Sequence, residues 1–352
     1  MLSPLTVLIV SPGRPPNFGL ERFYESAFKA LGHRVHVLGV EKGSRFVGAI
    51  KSRISRRISR YSVWGLQPNI VGEHIVAQAE SMRPDLTIVI RCERVKPWAI
   101  AELRRRSPLG CINIYPDAPF VVPGNGAVQL NDTLREYSSV LTFSRSQVPV
   151  FYQLGAKRVE WLPFAYDPLT HRTDRGSRVI PQVPICYVGS WGPVQERWLQ
   201  FLVPSGLNIY GAGWRHASVH NPIRACWREG EGMGPDMPAS IAGSKIVFNL
   251  VRAEHGCAHS MKTFEIPACG GFMLTNWTEE QARFFEDRKG CVFFNSVDEM
   301  LDKADYYLSH DKERERVRLA GMAAVAPHTY VRRALTILRY VDTGKLESWR
   351  DD

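Results

Sequence analysis

The sequence predicts an α/β protein in two halves, each a mostly parallel sheet covered by helices, and three observations carry that reading. First, strand-like apolar runs recur with helical patterns between them: TVLIVS (6–11), HRVHVLGV (33–40), DLTIVI (85–90), GCINIY (110–115), SVLTFS (139–144) and RVEWLP (158–163). Continuous apolar runs of this length, separated by helices, are what strands buried on both faces of a parallel sheet require. Second, a polar stretch, LTHRTDRGSRVIPQVP (169–184), interrupts the series, which then starts again with PICYVG (184–189), GLNIYG (206–211), KIVFNL (245–250), GFMLTN (271–276) and GCVFF (290–294). Third, 352 residues suit two α/β domains better than one core. Two Rossmann-like domains follow, over 1–166 and 185–327, joined by a linker at 167–184. A terminal helix over 328–352 is expected to cross back to the first domain.

The elements justify themselves in turn. The N-terminal run has no basic residue ahead of it and is stopped by Gly13, Pro15 and Pro16, so it reads as a first strand and not as a signal peptide. No run of 18 apolar residues exists, which excludes a membrane-spanning helix. Seven scattered cysteines without a CxxC pair fit reduced thiols in a cytoplasmic protein. The tail, from DEMLDKADYYLSH to HTYVRRALTILRYV, is helical by its 3.6-residue period.

A net charge of +10 and a pI near 9.3 call for an anionic partner: a phosphate-bearing substrate, an anionic membrane or nucleic acid. One interval concentrates the charge. No acidic residue lies between Lys42 and Glu73, while Arg45, Lys51, Arg53, Arg56, Arg57 and Arg60 alternate with Ile50, Ile54 and Ile58. Isoleucines at i, i+4 and i+8 share one helical face, so this segment is either a helix lying on an anionic membrane or a basic helix packed on the first domain. Nucleic acid is the less favoured partner.

The chemistry concentrates in EHGCAHSMKTFEIPACGGFMLTN, which runs from the end of one strand through a helix into the next. In a Rossmann-like half, ligands bind at the carboxyl ends of strands, where helix N-termini present free N–H groups. A helix capped by Ser260 exposes the amides of Ser260, Met261, Lys262 and Thr263 and puts Glu265 one to two turns in, with Lys262 beside it. Pro267 should distort or shorten that helix, and Gly270 and Gly271 should end it. Amides, an ammonium and a carboxylate together match a nucleoside diphosphate: donors for the phosphates, an acceptor for the ribose hydroxyls.

These residues carry a family resemblance. The stretch from SKIVFNL to HTYVRRA resembles the group 1 glycosyltransferases of the GT-B fold, in their spore-maturation-protein-like branch, and CYVGSWGPVQERWLQFL, LNIYGAGW and GAKRVEWLPFAYDP are similar to the same branch. The resemblance implies two Rossmann-like domains facing a central cleft and a retaining, hexosyl-type transfer of sugar from a nucleotide-sugar donor to an acceptor hydroxyl. It also implies a front-face displacement in which the departing β-phosphate takes the acceptor proton, with Lys262 and Arg197 stabilising that phosphate. In the family, two glutamates eight positions apart hold the donor. The second falls on Glu265, the first on Cys257, so the usual carboxylate at the donor sugar is missing. Gly189, Ser190, Trp191, Gly211, Gly213, Trp214 and His259 complete the expected donor side.

Other readings stay open at this level. Lys262 and Arg197 also suit surface cations; Trp191 and Trp214 suit packing as well as stacking on a base or sugar. Glu254, His255, Cys257 and His259 match no common zinc spacing, and no Asp-x-Asp occurs. No metal or other cofactor is therefore expected. In the first half, Gly13, Arg14 and Gly19 follow the first strand and Asp117 follows another, placing them on the acceptor side of the cleft, although Asp117 equally suits a local turn between prolines. The acceptor class suggested by the basic segment is lipid-linked or polysaccharide. The alternatives are a nucleotide-sugar epimerase and a non-catalytic sugar-nucleotide-binding protein.

Overall fold

The computed structural model describes residues 3–11, 19–39, 67–91, 95–119, 132–172, 182–230, 232–252 and 256–346. The basic segment at 45–60, with Gly13, Arg14, Glu254 and His255, lies outside the described residues. Two compact units result: residues 1–163 with 330–352, and residues 164–329.

The first unit is built on a six-stranded sheet of order β2-β1-β3-β4-β5-β6, with β1 Thr6–Ser11, β2 Arg34–Gly39, β3 Leu86–Ile90, β4 Cys111–Tyr115, β5 Ser139–Thr142 and β6 Val159–Trp161. Every pairing is parallel; Val7, for instance, aligns with Val35 on one side and Leu86 on the other. The interior strands β1, β3, β4 and β5 are buried along their whole length, whereas edge strand β2 mixes exposed and covered positions. That contrast is why the interior runs are continuously apolar and β2 carries Arg34 and His36. The terminal helix Tyr330–Thr343 packs on the helix Leu20–Ala30 within this unit: Tyr330 stacks on Phe23 and meets Tyr24 edge-on, both at 5.2 Å between ring centroids. Arg333, fully buried on the same helix, donates from Nε to the Pro163 carbonyl at 2.8 Å.

The second unit carries a five-stranded parallel sheet of order β11-β10-β9-β7-β8, with β7 Val183–Val188, β8 Leu207–Tyr210, β9 Ser244–Asn249, β10 Met273–Asn276 and β11 Val292–Phe294. All eleven strand-like runs in the sequence are strands. Phe248, Phe272, Leu274, Phe294 and Trp214 form the centre of its core. Helices Val297–Ser309 and Asp311–Val325 follow β11, as the tail's periodicity predicts. No helix among the described residues is long and apolar enough to cross a membrane.

Candidate functional site

The strand order of the second sheet defines where a ligand belongs. From β7 the chain moves outward to β8, then returns to the other side of β7 to form β9. The loops leaving β7 and β9 therefore diverge, opening a crevice at the carboxyl ends of those two strands. There the structure has a pocket of about 130 Å³ lined by Trp191, Gly192, Pro193, Val194, Gln195 and Arg252. Arg252, just after β9, is a cation that the sequence reading missed. Its charge reaches the Tyr187 hydroxyl, whose pKa burial pushes up to about 12 against the pull of that charge.

From the β9 loop the chain enters the helix Met261–Ala268, with Ser260 as its N-cap. The Ser260 N–H donates to Thr263 Oγ1 at 3.1 Å, and Ser260 Oγ donates to Asn249 Oδ1 at 3.3 Å. Pro267 sits inside the helix, which ends after Ala268, and Gly270 then takes a left-handed conformation (φ 73°) that only glycine adopts without strain. Within this helix Glu265 is 1% exposed. Its Oε2 accepts from the Lys262 ammonium one turn earlier, and its Oε1 lies 3.4 Å from His171 Nε2. Burial alone would raise this carboxyl's pKa, but Lys262 first and then His171 outweigh it and hold the group down at about 2. The carboxylate is therefore ionised throughout the physiological range.

The helix start is tied to the sheet by a buried polar cluster invisible in the sequence. Gln281 Oε1 accepts from Thr263 Oγ1 (2.9 Å), Thr275 Oγ1 (3.2 Å) and Asn249 Nδ2 (3.3 Å), while its amide nitrogen donates to the Asn276 carbonyl at 2.7 Å. One side chain thus joins the ends of β9 and β10 to the first turn of the Met261–Ala268 helix. Such a satisfied network holds geometry at low dielectric.

Several expected donor residues have other work. His259 is fully buried: Nε2 accepts from the Phe164 N–H at 3.0 Å, Nδ1 is 2.7 Å from Glu280 Oε2, and Phe164, Phe264 and Phe284 meet the ring edge-on. Both nitrogens are committed, so it faces neither donor nor metal. Trp214 is likewise buried, donating from Nε1 to the Gly189 carbonyl at 2.9 Å, and belongs to the core and not to a stacking surface. Gly211 serves chain approach: a Cβ there would stand 2.0 Å from the Gly189 carbonyl oxygen. Gly213 lies in the same turn, before Trp214. Ser190 is exposed, Met261 is half-buried, and Cys257 is half-buried with its carbonyl accepting the Glu280 N–H at 3.0 Å. Among the described residues no group of three or more His, Cys, Asp or Glu is placed to hold a metal.

Trp191 does face the pocket, and a residue missed in the sequence holds it there. Glu196 Oε2 accepts from Trp191 Nε1 at 2.8 Å, while Oε1 accepts from the Ser218 N–H (3.1 Å) and Asn221 Nδ2 (3.2 Å). Arg197, the next residue, is exposed near the end of the helix Pro193–Leu199, away from its N-terminus.

In the first unit, β1 and β3 make the corresponding switch. Gly19 caps the helix Leu20–Ala30, its carbonyl accepting the N–H groups of Arg22 (3.0 Å) and Phe23 (3.1 Å). Asp117, beyond β4, pairs with Arg91, beyond β3, at 2.9 Å, both partly exposed. Arg91 holds a left-handed backbone (φ 58°), uncommon outside glycine.

Residues 194–339 match the sequence model of a family described as glycosyl transferase-like. No curated protein sequence matches the chain. Among solved structures, a glycosyltransferase from Rickettsia africae aligns over 98% of this chain and 100% of its own at 12% identity and TM-score 0.64. HepE from Anabaena, in complex with UDP-glucose, aligns over 96% and 100% at 12% identity and TM-score 0.61. Sucrose-phosphate synthase from Thermosynechococcus elongatus aligns over 97% and 100% at 10% identity and TM-score 0.66. At such identities the likeness shows the fold: the two-domain α/β class of GT-B glycosyltransferases.

Proposed function

We propose that this protein is a glycosyltransferase that moves a sugar from a nucleoside diphosphate donor to an acceptor hydroxyl with retention of configuration. The observation that carries the reading is the buried, ionised Glu265 paired with Lys262 at the start of the helix that follows β9. A ribose diol and a diphosphate need that acceptor and that cation side by side, and the matched family segment includes both residues. The donor lies along the β7 and β9 loops, its diphosphate toward Lys262 and Arg252. The pocket beside Trp191 accommodates one corner of such a ligand. HepE, on the same fold, binds UDP-glucose, which makes uridine nucleotides the first to try.

The proposed step is a front-side displacement. The bond between the sugar C1 and the β-phosphate oxygen breaks, the acceptor oxygen bonds to C1 on the same face, and its proton passes to the departing phosphate. The chain's contribution is electrostatic stabilisation of that leaving group. Transfer assays with UDP-, GDP- and ADP-sugars and acceptor extracts, with the product anomer read by NMR, test the reaction. Glu265→Gln should weaken nucleoside diphosphate binding by about 1 to 3 kcal/mol in calorimetric titration. Wild-type affinity in a folded variant would assign Glu265 to structure and remove the basis of the reading.

Cations of the chain take the place of a divalent metal in this scheme, so donor binding and turnover should survive EDTA. Loss with chelation, restored by Mg²⁺ or Mn²⁺, would contradict it. We also assign the 45–60 segment to an anionic membrane presenting a lipid-linked or polysaccharide acceptor. Each basic side chain near such a surface contributes about 1 kcal/mol, screened by salt. Wild-type protein should co-sediment with phosphatidylserine liposomes at low salt, and the combined variant Arg53→Glu, Arg56→Glu, Arg57→Glu should not. Equal retention by neutral liposomes, or stronger retention on DNA, would overturn the assignment.

A further inference from the structure

We propose that His171 is a positioning residue for Glu265, reserving Oε1 so that the carboxylate presents Oε2 alone to the ligand. The inference rests on the reading of Glu265 as the ribose-binding carboxylate. It concerns a residue in the stretch that the sequence reading treats as open linker. Residues 167–171 instead form a tight turn inside the second unit. The Asp167 carbonyl accepts from the Thr170 N–H at 3.1 Å and the His171 N–H at 2.9 Å, and Thr170 Oγ1 donates to Asp167 Oδ2. Asp167 and His171 are each only 2% exposed.

The turn also fixes the imidazole. His171 Nδ1 accepts the Asp167 N–H at 2.9 Å, so in the neutral ring the proton resides on Nε2, which stands 3.4 Å from Glu265 Oε1, an electrostatic contact outside hydrogen-bond geometry. The Asp167 carbonyl lies 3.1 Å from Nδ1 and accepts only from a ring that carries its proton on that nitrogen. Glu265 thus has two dissimilar partners. On the Oε1 side the His171 side chain is wholly buried; on the Oε2 side the Lys262 side chain is 25% exposed. The flexible, part-solvated ammonium is the partner a ligand displaces, and the imidazole is the one it leaves in place.

Two consequences follow for donor binding. Both ribose hydroxyls address the two lone pairs of Oε2, where a free carboxylate would offer one oxygen to each. Their arrival releases Lys262 toward the phosphates, so one carboxylate oxygen couples ribose recognition to diphosphate charge. His171 supplies the fixed plane that makes the exchange one-sided. Nothing in this requires the ring to touch substrate.

The test uses the full chain and four variants: His171→Ala, His171→Gln, His171→Asn and Glu265→Gln. Gln carries its amide nitrogen to about where imidazole Nε2 stands, whereas Asn is too short to reach Oε1. Titration with UDP, GDP and ADP, donor KM and kcat for whichever sugar nucleotide is turned over, and thermal unfolding are the readouts. His171→Ala and His171→Asn should weaken nucleoside diphosphate binding and raise donor KM by about 3- to 10-fold, the loss of one buried electrostatic partner of the carboxylate, while kcat at saturating donor changes less than about 2-fold. His171→Gln should recover most of that loss. If His171→Gln binds no better than His171→Asn, or if folded variants lose melting temperature but keep wild-type affinity, the ring is packing only and the proposal fails. Loss of affinity in Glu265→Gln with none in the His171 variants overturns the positioning role and leaves the site reading standing. Wild-type affinity in Glu265→Gln overturns both.

Discussion

Replacing Lys262 by Ala is expected to lower kcat by about 10² to 10³, the usual cost of removing one preorganised group that stabilises charge developing in the transition state. Lys262 already has an anionic partner within its own helix. Its ammonium rests on Glu265 Oε2 with a quarter of the side chain exposed. The residue lies in the first turn of the Met261–Ala268 helix, whose dipole favours an anion, although the Ser260 and Thr263 N–H groups expected to be free are bonded within the cap. A diphosphate arriving there meets a cation that can leave the carboxylate for the phosphate without leaving the helix terminus. In the proposed transfer, negative charge on the β-phosphate would grow as the sugar departs, so the contact would be worth more in the transition state than in the bound donor. The effect should therefore fall on kcat more than on donor KM. Lys262→Arg should retain much more activity than Lys262→Met, since charge matters more here than shape. Steady-state kinetics on the three variants decide it; a folded Lys262→Ala with unchanged kcat would remove Lys262 from the leaving-group role. Arg252 and Arg197 are then the alternatives to test in that order, because Arg252 lines the pocket and Arg197 is exposed near the far end of its helix.

The sheets were legible because parallel strands buried on both faces leave the plainest signal a sequence carries. VLIV, LTIV and IVFN admit few other readings once helical patterns flank them. The start of the Met261–Ala268 helix was legible too, since Ser260 before an apolar run is a local N-cap pattern, whereas its pairing with Thr263 appears only in the structure. What failed was anything depending on a distant partner. His259 looks like a loop histidine until Phe164 and Glu280, 95 and 21 positions away, consume its two nitrogens. Trp214 follows Gly-Ala-Gly and suggests a stacking surface, yet the carbonyl of Gly189 captures its indole N–H and the core closes over it. Glu196 and Gln281 read as ordinary helix-surface residues, and their roles appear only when the loops they bind are folded beside them. His171 was the most obscured. A polar neighbourhood rich in Arg, Thr and Ser averages to linker, and the turn that buries it is made by one Asp and one Thr whose hydrogen bonds are local but whose purpose lies in another helix.

Glu265 should also make the second unit acid-sensitive through a single, identifiable group. Burial disfavours its charge, Lys262 and His171 favour it more, and the balance brings the folded pKa to about 2 from the ordinary 4.5. The sign follows from proton uptake. The unfolded chain binds a proton at this residue as pH drops through about 4.5, while the folded chain resists until about 2, so the stabilisation is fully present above the upper value and lost between the two. Because the carboxyl itself is almost wholly enclosed, solvent screening does little to it, and the contribution at neutral pH is on the order of 3 kcal/mol. Glu265→Gln removes the titration. Its Lys262 can turn to water, so the variant should be less stable than wild type at pH 7 and approach it as pH falls toward 3. Other carboxylates with lowered pKa, such as Glu25 and Glu299, are common to both proteins and cancel in the difference. Urea unfolding of wild type and Glu265→Gln at pH 7, 5, 4 and 3 measures that difference directly. A gap that stays constant across the series would mean that Glu265 keeps an ordinary pKa in the folded chain, and that the Lys262 and His171 contacts do not hold its charge.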